Sequence, residues 1–389
     1  MTQSLLDNDL YKFTMQEALF KLGFSAVPVE YKFHCRNEDF DFRPYFNDIQ
    51  KEIKKLSDVS LTRDESYFMK NMKAGTGRIF FDDYVNVLKG FKFNLSHLYL
   101  NLDGKNLDLR IKGPWFNTIL FEVPLLYKIS EVCCNREGED FSEGERRLDK
   151  KLDLIEHVPN FYFGDFGTRR RKSLMCQYQT VKKCSERHPE KFIGTSNVYL
   201  AMLFKLKALG TMAHEWLQAH QQLKYRVSES QKMAFENWIK VFRGNLGIAL
   251  ADIINTDAFL KDFDDPLFYK LFDGVREDSE PDPIEFGKRM IRFYSERNID
   301  PQSKKIIFSN GLNFEKALKI HWELCHSIGV SFGIGTNLTN DYPTPALNIV
   351  IKMVKCNNQP VAKISNSPGK GMCESPEFVE YLKSVYNVE

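Results

Sequence analysis

A histidine beside an acid, His214-Glu215, follows the turn-forming pair Gly210-Thr211. Near neutral pH an imidazole can take up a proton, release one or attack as a nucleophile, and an adjacent carboxylate can hold its tautomer. A packed or solvated ring is the plain alternative, and His220 reads as a helix-surface residue. Asp252 ends the apolar run Ile248-Ala-Leu-Ala251. A buried strand that ends in a carboxylate must meet a metal, a cation or a polar substrate, or else cap the next helix. Arg169-Arg170-Arg171 also follows a short apolar run. At least one guanidinium there can make a two-pronged pair with a carboxylate or phosphate, while the others stand in solvent. Gly333-Ile-Gly-Thr-Asn337 and Ser309-Asn310-Gly311 can cradle a phosphate on backbone N–H groups, or can be tight turns. Tyr11 sits among Asp7, Asn8 and Asp9, where Asp9 suits the N-cap of a helix. Neither a phosphate-binding P-loop, nor a dinucleotide fingerprint, nor a zinc spacing occurs.

These groups need elements that aim them. Residues 27–34 read as a strand, and 98–111 as a hairpin turning at Asp103-Gly104. Residues 118–134 are apolar with helical spacing, which Pro124 starts or kinks. A charged stretch, 135–151, reads as a junction between domains or as a solvated helix. From about residue 160, short apolar runs alternate with helical stretches. The runs are 161–164, 192–193, 208–210, 246–251, 274–275, 306–308, 330–332 and 347–354. About eight such alternations predict an α/β class with an irregular parallel α/β barrel. Ser228 with Gln231 predicts a capping box for the helix that ends before Gly244. Glycines, hydroxyls and charges gather where the predicted strands end, the side of such sheets that carries chemistry.

Composition narrows the classes. The 389 residues allow two domains, or one barrel with an addition. Apolar residues are 43% and charged residues 27%, enough for a packed core. Lys plus Arg is 54 against 52 Asp plus Glu, a net charge of +2, which speaks against a nucleic-acid binder and a polybasic membrane protein. The 32 phenylalanines imply an aromatic core, with a few rings available to a flat ligand. The start has no signal-peptide pattern, and no apolar run is long enough to span a bilayer. Eight cysteines without a metal or disulfide spacing fit free thiols in a reducing, cytoplasmic setting.

The ordered set of motifs resembles the nicotinate phosphoribosyltransferase family. It runs from Leu5-Leu-Asp-Asn-Asp-Leu-Tyr-Lys-Phe-Thr-Met15 through Gly113-Pro-Trp115, Ile119 to Leu126, Ile129-Ser-Glu131 and Phe166-Gly-Thr-Arg-Arg-Arg171. It continues with Gly194-Thr-Ser-Asn197, Gly210-Thr-Met-Ala-His-Glu-Trp216, Phe332-Gly-Ile-Gly-Thr336, Leu347 to Lys352 and Ser367-Pro-Gly-Lys370. The resemblance implies an N-terminal α+β domain (1–134) and an α/β-barrel domain (151–389). It implies an enzyme of NAD salvage that joins nicotinate to 5-phosphoribosyl-1-diphosphate, forming nicotinate mononucleotide and diphosphate. ATP hydrolysis would be coupled through a phosphohistidine, with magnesium required, in a cytoplasmic homodimer that donates the N-terminal tyrosine across its interface. Nucleic acid and membrane are not among the implied partners.

Carried onto this sequence, His214 is the phosphorylated histidine and Glu215 positions it. Arg169, Arg171 and Arg276 bind the nicotinate carboxylate and the phosphates. Tyr11 and Phe166 stack on the pyridine, and Asp278 holds the ribose hydroxyls. Gly311, Gly335 and Thr336 cradle the 5′-phosphate, and Ser196 and Asp252 line the pocket. Two departures stand out. The family's Arg-x-Asp-Ser-Gly-Asp-Pro is here Arg276-Glu-Asp-Ser-Glu-Pro-Asp-Pro283, and Asn310 stands where the family has an acid. Asp278 or Asp282 can then take the ribose or metal role, and Glu280 weakens phosphate binding unless it points away. A catalytically impaired paralogue serving as a ligand-binding or regulatory subunit, and a nicotinamide-type transferase, are the alternatives.

Overall fold

The computed structural model describes residues 4–75, 77–134, 142–364, 371 and 373–388. Its chain divides into two interleaved compact units. The first comprises Met1–Val158, Phe163–Gly210 and Ile334–Lys352, and the second Pro159–Tyr162, Thr211–Gly333 and Met353–Glu389. The expected domains, 1–134 and 151–389, are continuous stretches, whereas these units are not. Two returning segments hydrogen-bond with the N-terminal part. Leu10 N–H donates to Ser196 O (2.8 Å), Val198 N–H to Asn8 O (3.0 Å) and Arg36 N–H to Asn348 O (2.9 Å). Residues 135–141 of the expected junction lie outside the described residues, and the remainder begins the helix Ser142–Ile155.

The first unit is built on an antiparallel ladder. Strand β1 (Pro28–Cys35) pairs with β3 (Asn106–Pro114), which pairs with β2 (Leu98–Asp103). Leu107, Leu109 and Ile111 of β3 are buried, while the alternating Asn106, Asp108 and Arg110 are not, the period of a sheet with one apolar face. The hairpin turns at Gly104, whose φ of +59° favours glycine. The helix Leu10–Lys21, buried from Leu10 through Leu19, carries Tyr11. The same unit holds two parallel strands, β4 (Phe163–Asp165) and β5 (Phe192–Thr195).

The second unit carries four parallel strands: β6 (Ile248–Leu250), β7 (Gly274–Glu277), β8 (Lys305–Phe308) and β9 (Gly329–Ile334). They pair in that order, with Ala249 opposite Val275, Val275 opposite Ile306 and Ile306 opposite Val330. The short apolar runs Ile248–Leu250 of β6 and 306–308 of β8 are of the kind that buried parallel strands carry. The phenylalanine excess is largely core. The Phe235 ring lies 5.6–6.0 Å from the rings of Phe259, Phe263, Phe268 and Phe272.

The architecture is mixed α/β, with a parallel and an antiparallel sheet. Several local expectations change. The run 208–210 contributes only a bridge, Thr195 to Ala208. The run 347–354 becomes the strand Ile349–Cys356, which joins the sheet of β1 and not the parallel strands. The predicted capping box is not formed. The helix starts at Ser230 behind a 3₁₀ turn, and Gln231 instead donates to Asp262 Oδ2 at 2.9 Å. His220 is fully buried, held at Nδ1 by Trp216 O (2.7 Å) and at Nε2 by Asn237 (3.0 Å), and burial pushes its pKa down to about 4. All eight cysteines are free, and no helix among the described residues is long and apolar enough to cross a membrane.

Candidate active site

The carboxyl ends of three neighbouring parallel strands in the second unit bring polar groups together. Asp252 lies two residues past β6, Asp278 directly follows β7, and Ser309 directly follows β8. His214 opens the helix His214–His220. Its Nε2 lies 2.9 Å from Asp252 Oδ1 and 4.0 Å from Asp278 Oδ2. Lys363 Nζ stands 2.5 Å from Asp252 Oδ2 and 2.7 Å from the same His214 nitrogen. Arg276 donates from Nε to Ser309 Oγ (2.9 Å), and its Nη2 lies 3.3 Å from Asp278 Oδ2. Ser309 Oγ in turn donates to Asp278 Oδ1 at 2.9 Å.

Burial sets the electrostatics. It lowers the pKa of His214, with Asp252 opposing and Lys363 adding to the effect. For Asp252 burial acts upward, but His214 and Lys363 outweigh it and hold the carboxyl well below its ordinary range. Asp278 is likewise lowered, against burial, chiefly by Arg276. The result is a neutral imidazole beside ionised carboxylates, each carrying a cation as neighbour. Nδ1 of His214 makes no hydrogen bond among the described residues, and the side chain is 19% exposed. The carboxylate that accepts at the other nitrogen is that of Asp252.

A second cluster lies wholly in the first unit. Tyr11 Oη donates to Glu122 Oε1 at 3.5 Å, and Lys12 Nζ pairs with Glu122 Oε2 at 2.5 Å. The Arg169 guanidinium lies 5.9 Å from the centre of the Tyr11 ring. Its ion pairs with Asp9 and Glu122 are long, 3.8 and 3.6 Å, and its side chain is 35% exposed. Asp9 occupies the N-cap position without making the capping bond. Its carboxylate accepts from Ser196 Oγ at 2.7 Å, so Ser196 is an anchor for Asp9.

Arg171 departs from its expected place among anion binders. It is 1% exposed, donates to both oxygens of Asp7 (2.6 and 2.7 Å), to Glu131 (2.7 Å) and to Gln177 (3.1 Å), and lies 4.0 Å over the Tyr127 ring. With its planar fork filled by protein acceptors, it is a buried tie and not a substrate clamp. Gly335 and Thr336 begin the short helical turn 336–339, and a Cβ at Gly335 would approach Phe166 O to 3.3 Å. Phe166 is half-buried, and its N–H donates to Ile334 O at 2.9 Å. Gly311, exposed in a turn of the second unit, has φ +55°.

A model of the nicotinate phosphoribosyltransferase (NAPRTase) family matches residues 161–389, and its N-terminal domain model matches residues 6–130. The chain is 44% identical to nicotinate phosphoribosyltransferase from Ectopseudomonas mendocina, over 100% of this chain and 97% of that one. It belongs to the nicotinate phosphoribosyltransferase family. It is likewise 44% identical to nicotinate phosphoribosyltransferase 1 of Pseudomonas aeruginosa, with the same coverage. Crystal structures of nicotinate phosphoribosyltransferases from Vibrio cholerae and Porphyromonas gingivalis superpose with TM-scores of 0.94 and 0.92. Their identities are 34% and 33%, over all of this chain and 94% and 100% of theirs.

Against the family pattern, the altered loop 276–283 keeps an ordered arrangement. Asp282 caps the helix Pro283–Glu296 by accepting from the N–H groups of Ile284 and Glu285, both at 3.0 Å. Asp278 is thus the loop aspartate that faces His214. Glu280 accepts a hydrogen bond from Thr256, and its backbone N–H donates to Glu277 at 2.6 Å. Asn310 donates to the Glu280 carbonyl at 3.3 Å. Insertion of a residue is therefore absorbed by hydrogen bonds around Glu280.

Magnesium does not fit this side-chain cluster as a resident ion. His214, Asp252 and Asp278 offer ligand atoms within 4.8 Å of one another. The Lys363 ammonium, however, already stands against two of the three. Magnesium also favours an octahedron of oxygens and retains its waters.

Lys363 escaped the sequence reading. Its signal was a single cation in the apolar stretch Val361-Ala-Lys-Ile364, which burial obliges to find an anion. The neighbouring motif Ser367-Pro-Gly-Lys370 lies outside the described residues.

Proposed function

We propose that this chain joins nicotinate to 5-phosphoribosyl-1-diphosphate, forming nicotinate mononucleotide and diphosphate, with ATP hydrolysis coupled through phosphorylation of His214. The observation that carries the proposal is the His214 ring in its family motif, engaged at Nε2 and, among the described residues, unbonded at Nδ1. In the coupled step the Nδ1 lone pair attacks the γ-phosphorus of ATP. The bond to the bridging oxygen breaks, and ADP leaves with the electron pair. With its proton on Nε2, the ring needs to lose none from Nδ1, and Asp252 balances the positive charge that develops. Magnesium enters as part of the polyphosphate substrates.

In the pentosyl transfer the C1–oxygen bond to diphosphate breaks and the pyridine nitrogen bonds to C1. The cationic character of that transition state calls for fixed charges more than for a nucleophilic side chain. Asp278, held by Ser309 and Arg276, is the group for the ribose hydroxyls, and Arg276 serves the phosphates. Gly311, Gly335 and Thr336 are assigned to the 5′-phosphate by the family motifs they stand in. Arg169, with its long ion pairs and partial exposure, suits the nicotinate carboxylate, and Tyr11 and Phe166 suit the ring. A carboxylate offers that guanidinium a two-pronged, charge-assisted partner that an amide does not, which favours the acid over nicotinamide. The working enzyme is a cytoplasmic homodimer.

The test is product formation by purified protein supplied with 5-phosphoribosyl-1-diphosphate, magnesium and either nicotinate or nicotinamide, with and without ATP. Nicotinate mononucleotide forming faster with ATP is the expected result. Folded protein that forms none, or that prefers the amide, overturns the proposal.

A further inference from the structure

His214 is flanked by two carboxylates, Asp252 at 2.9 Å and Asp278 at 4.0 Å, with the buried Glu215 next in the chain. Anions at that range favour the imidazolium, and an imidazolium has no lone pair to donate. Arg276 faces Asp278 at 3.3 Å. Lys363 is the cation that faces both the ring and Asp252, with its side chain only 3% exposed. Such a placement is more than a core ion pair. The ammonium touches the same ring nitrogen that Asp252 holds.

We propose that Lys363 is a positioning residue for His214: its ammonium offsets the charge of Asp252, keeps the ring neutral and fixes the carboxylate against Nε2, leaving Nδ1 to react. Lys363 contributes no electrons and transfers no group. Its effect runs through the charge and orientation of two side chains, and its catalytic consequence rests on His214 being the phosphoryl acceptor. An arginine at 363 preserves the charge, whereas a methionine preserves only the length and apolar bulk.

The experiment is ring-¹⁵N NMR of labelled protein, with a His214→Asn variant identifying the His214 signals, alongside the ATP-stimulated rate as a function of pH. In the wild type the ring is expected to be neutral at pH 7, with its proton on Nε2. Lys363→Met should raise the protonation midpoint by about one pH unit or more, and Lys363→Arg should return most of that shift. The rate of Lys363→Met should fall about threefold at pH 6.5 and recover at pH 8.5, an acid-side loss that simple disruption of the core would not produce. Should Lys363→Met fail to fold, Asp252→Asn tests the same balance: with the anion gone, the cation should lower the midpoint. An unchanged midpoint in a folded Lys363→Met, or in Asp252→Asn, overturns the assignment. A midpoint that moves as expected while His214 takes up no phosphate supports the role of Lys363 and overturns the phosphohistidine reading alone.

Discussion

Arg171 and His214 both sit in clusters of carboxylates, yet the clusters are built to opposite ends. Around Arg171, Asp7, Glu131 and Gln177 fill the guanidinium fork, and Tyr127 covers its face. No edge of that cation is offered outward, so the network can only hold the fold. Around His214, Asp252 and Lys363 occupy one nitrogen, and the other makes no hydrogen bond among the described residues. The side chain is 19% exposed, against 1% for Arg171. Saturation marks a structural charge, and unused bonding capacity on a partly exposed side chain marks a reactive one.

The largest expected effect breaks the reactive side of this contrast. His214→Asn should remove ATP stimulation altogether, a loss of about a hundredfold or more in the coupled rate, with the melting temperature nearly unchanged. Steady-state assays with and without ATP check it. Next comes the structural side. Arg171→Met strands the buried Asp7 carboxylate and leaves the partly exposed Glu131 without its cation, and should cost about 3–5 kcal/mol of stability, read by urea unfolding. An Arg171 variant that folds normally but loses only nicotinate affinity would return this arginine to the substrate.

Arg169 sharpens the comparison from within the first unit, since its acidic neighbours are distant and its side chain partly exposed. Arg169→Met should raise the KM for nicotinate by about 10–100-fold while leaving that for phosphoribosyl diphosphate within about threefold. The last prediction concerns the stability contributed by a buried acid with neither function. Glu17 accepts from the Phe81 N–H (3.0 Å), and burial raises its pKa from 4.5 to about 8. A raised folded-state pKa gives stability that is complete below pH 4.5 and is lost as pH rises through about 8. Glu17→Gln should therefore match the wild type in acid and exceed its melting temperature by a margin that grows from pH 4.5 to about 8 and then levels off.

The contrast also marks how far the sequence could be read. The hairpin at Gly104, the alternation of Leu107, Leu109 and Ile111, and the strand-end positions of Asp252, Asp278 and Ser309 follow from period and turn chemistry, and all were legible. Pairing was less so. Asp9 at a helix start suits an N-cap, and only the returning segment with Ser196 shows what its carboxylate binds. Three consecutive arginines look alike in a string, although their side chains diverge to separate fates. Lys363 lies 111 residues from Asp252, so no local pattern joins them. Interleaving of the two compact units is hidden for the same reason: it depends on which distant segments pack together.

The central claim is that His214 is the group that accepts phosphate. It is tested most directly by incubating the protein with ATP labelled in the γ-phosphate and mapping the attached label by mass spectrometry under alkaline conditions. The account predicts an acid-labile phosphate on His214 that disappears when nicotinate and phosphoribosyl diphosphate are added, and none on the His214→Asn variant. Label on another residue, or product formation stimulated by ATP in His214→Asn, would contradict it.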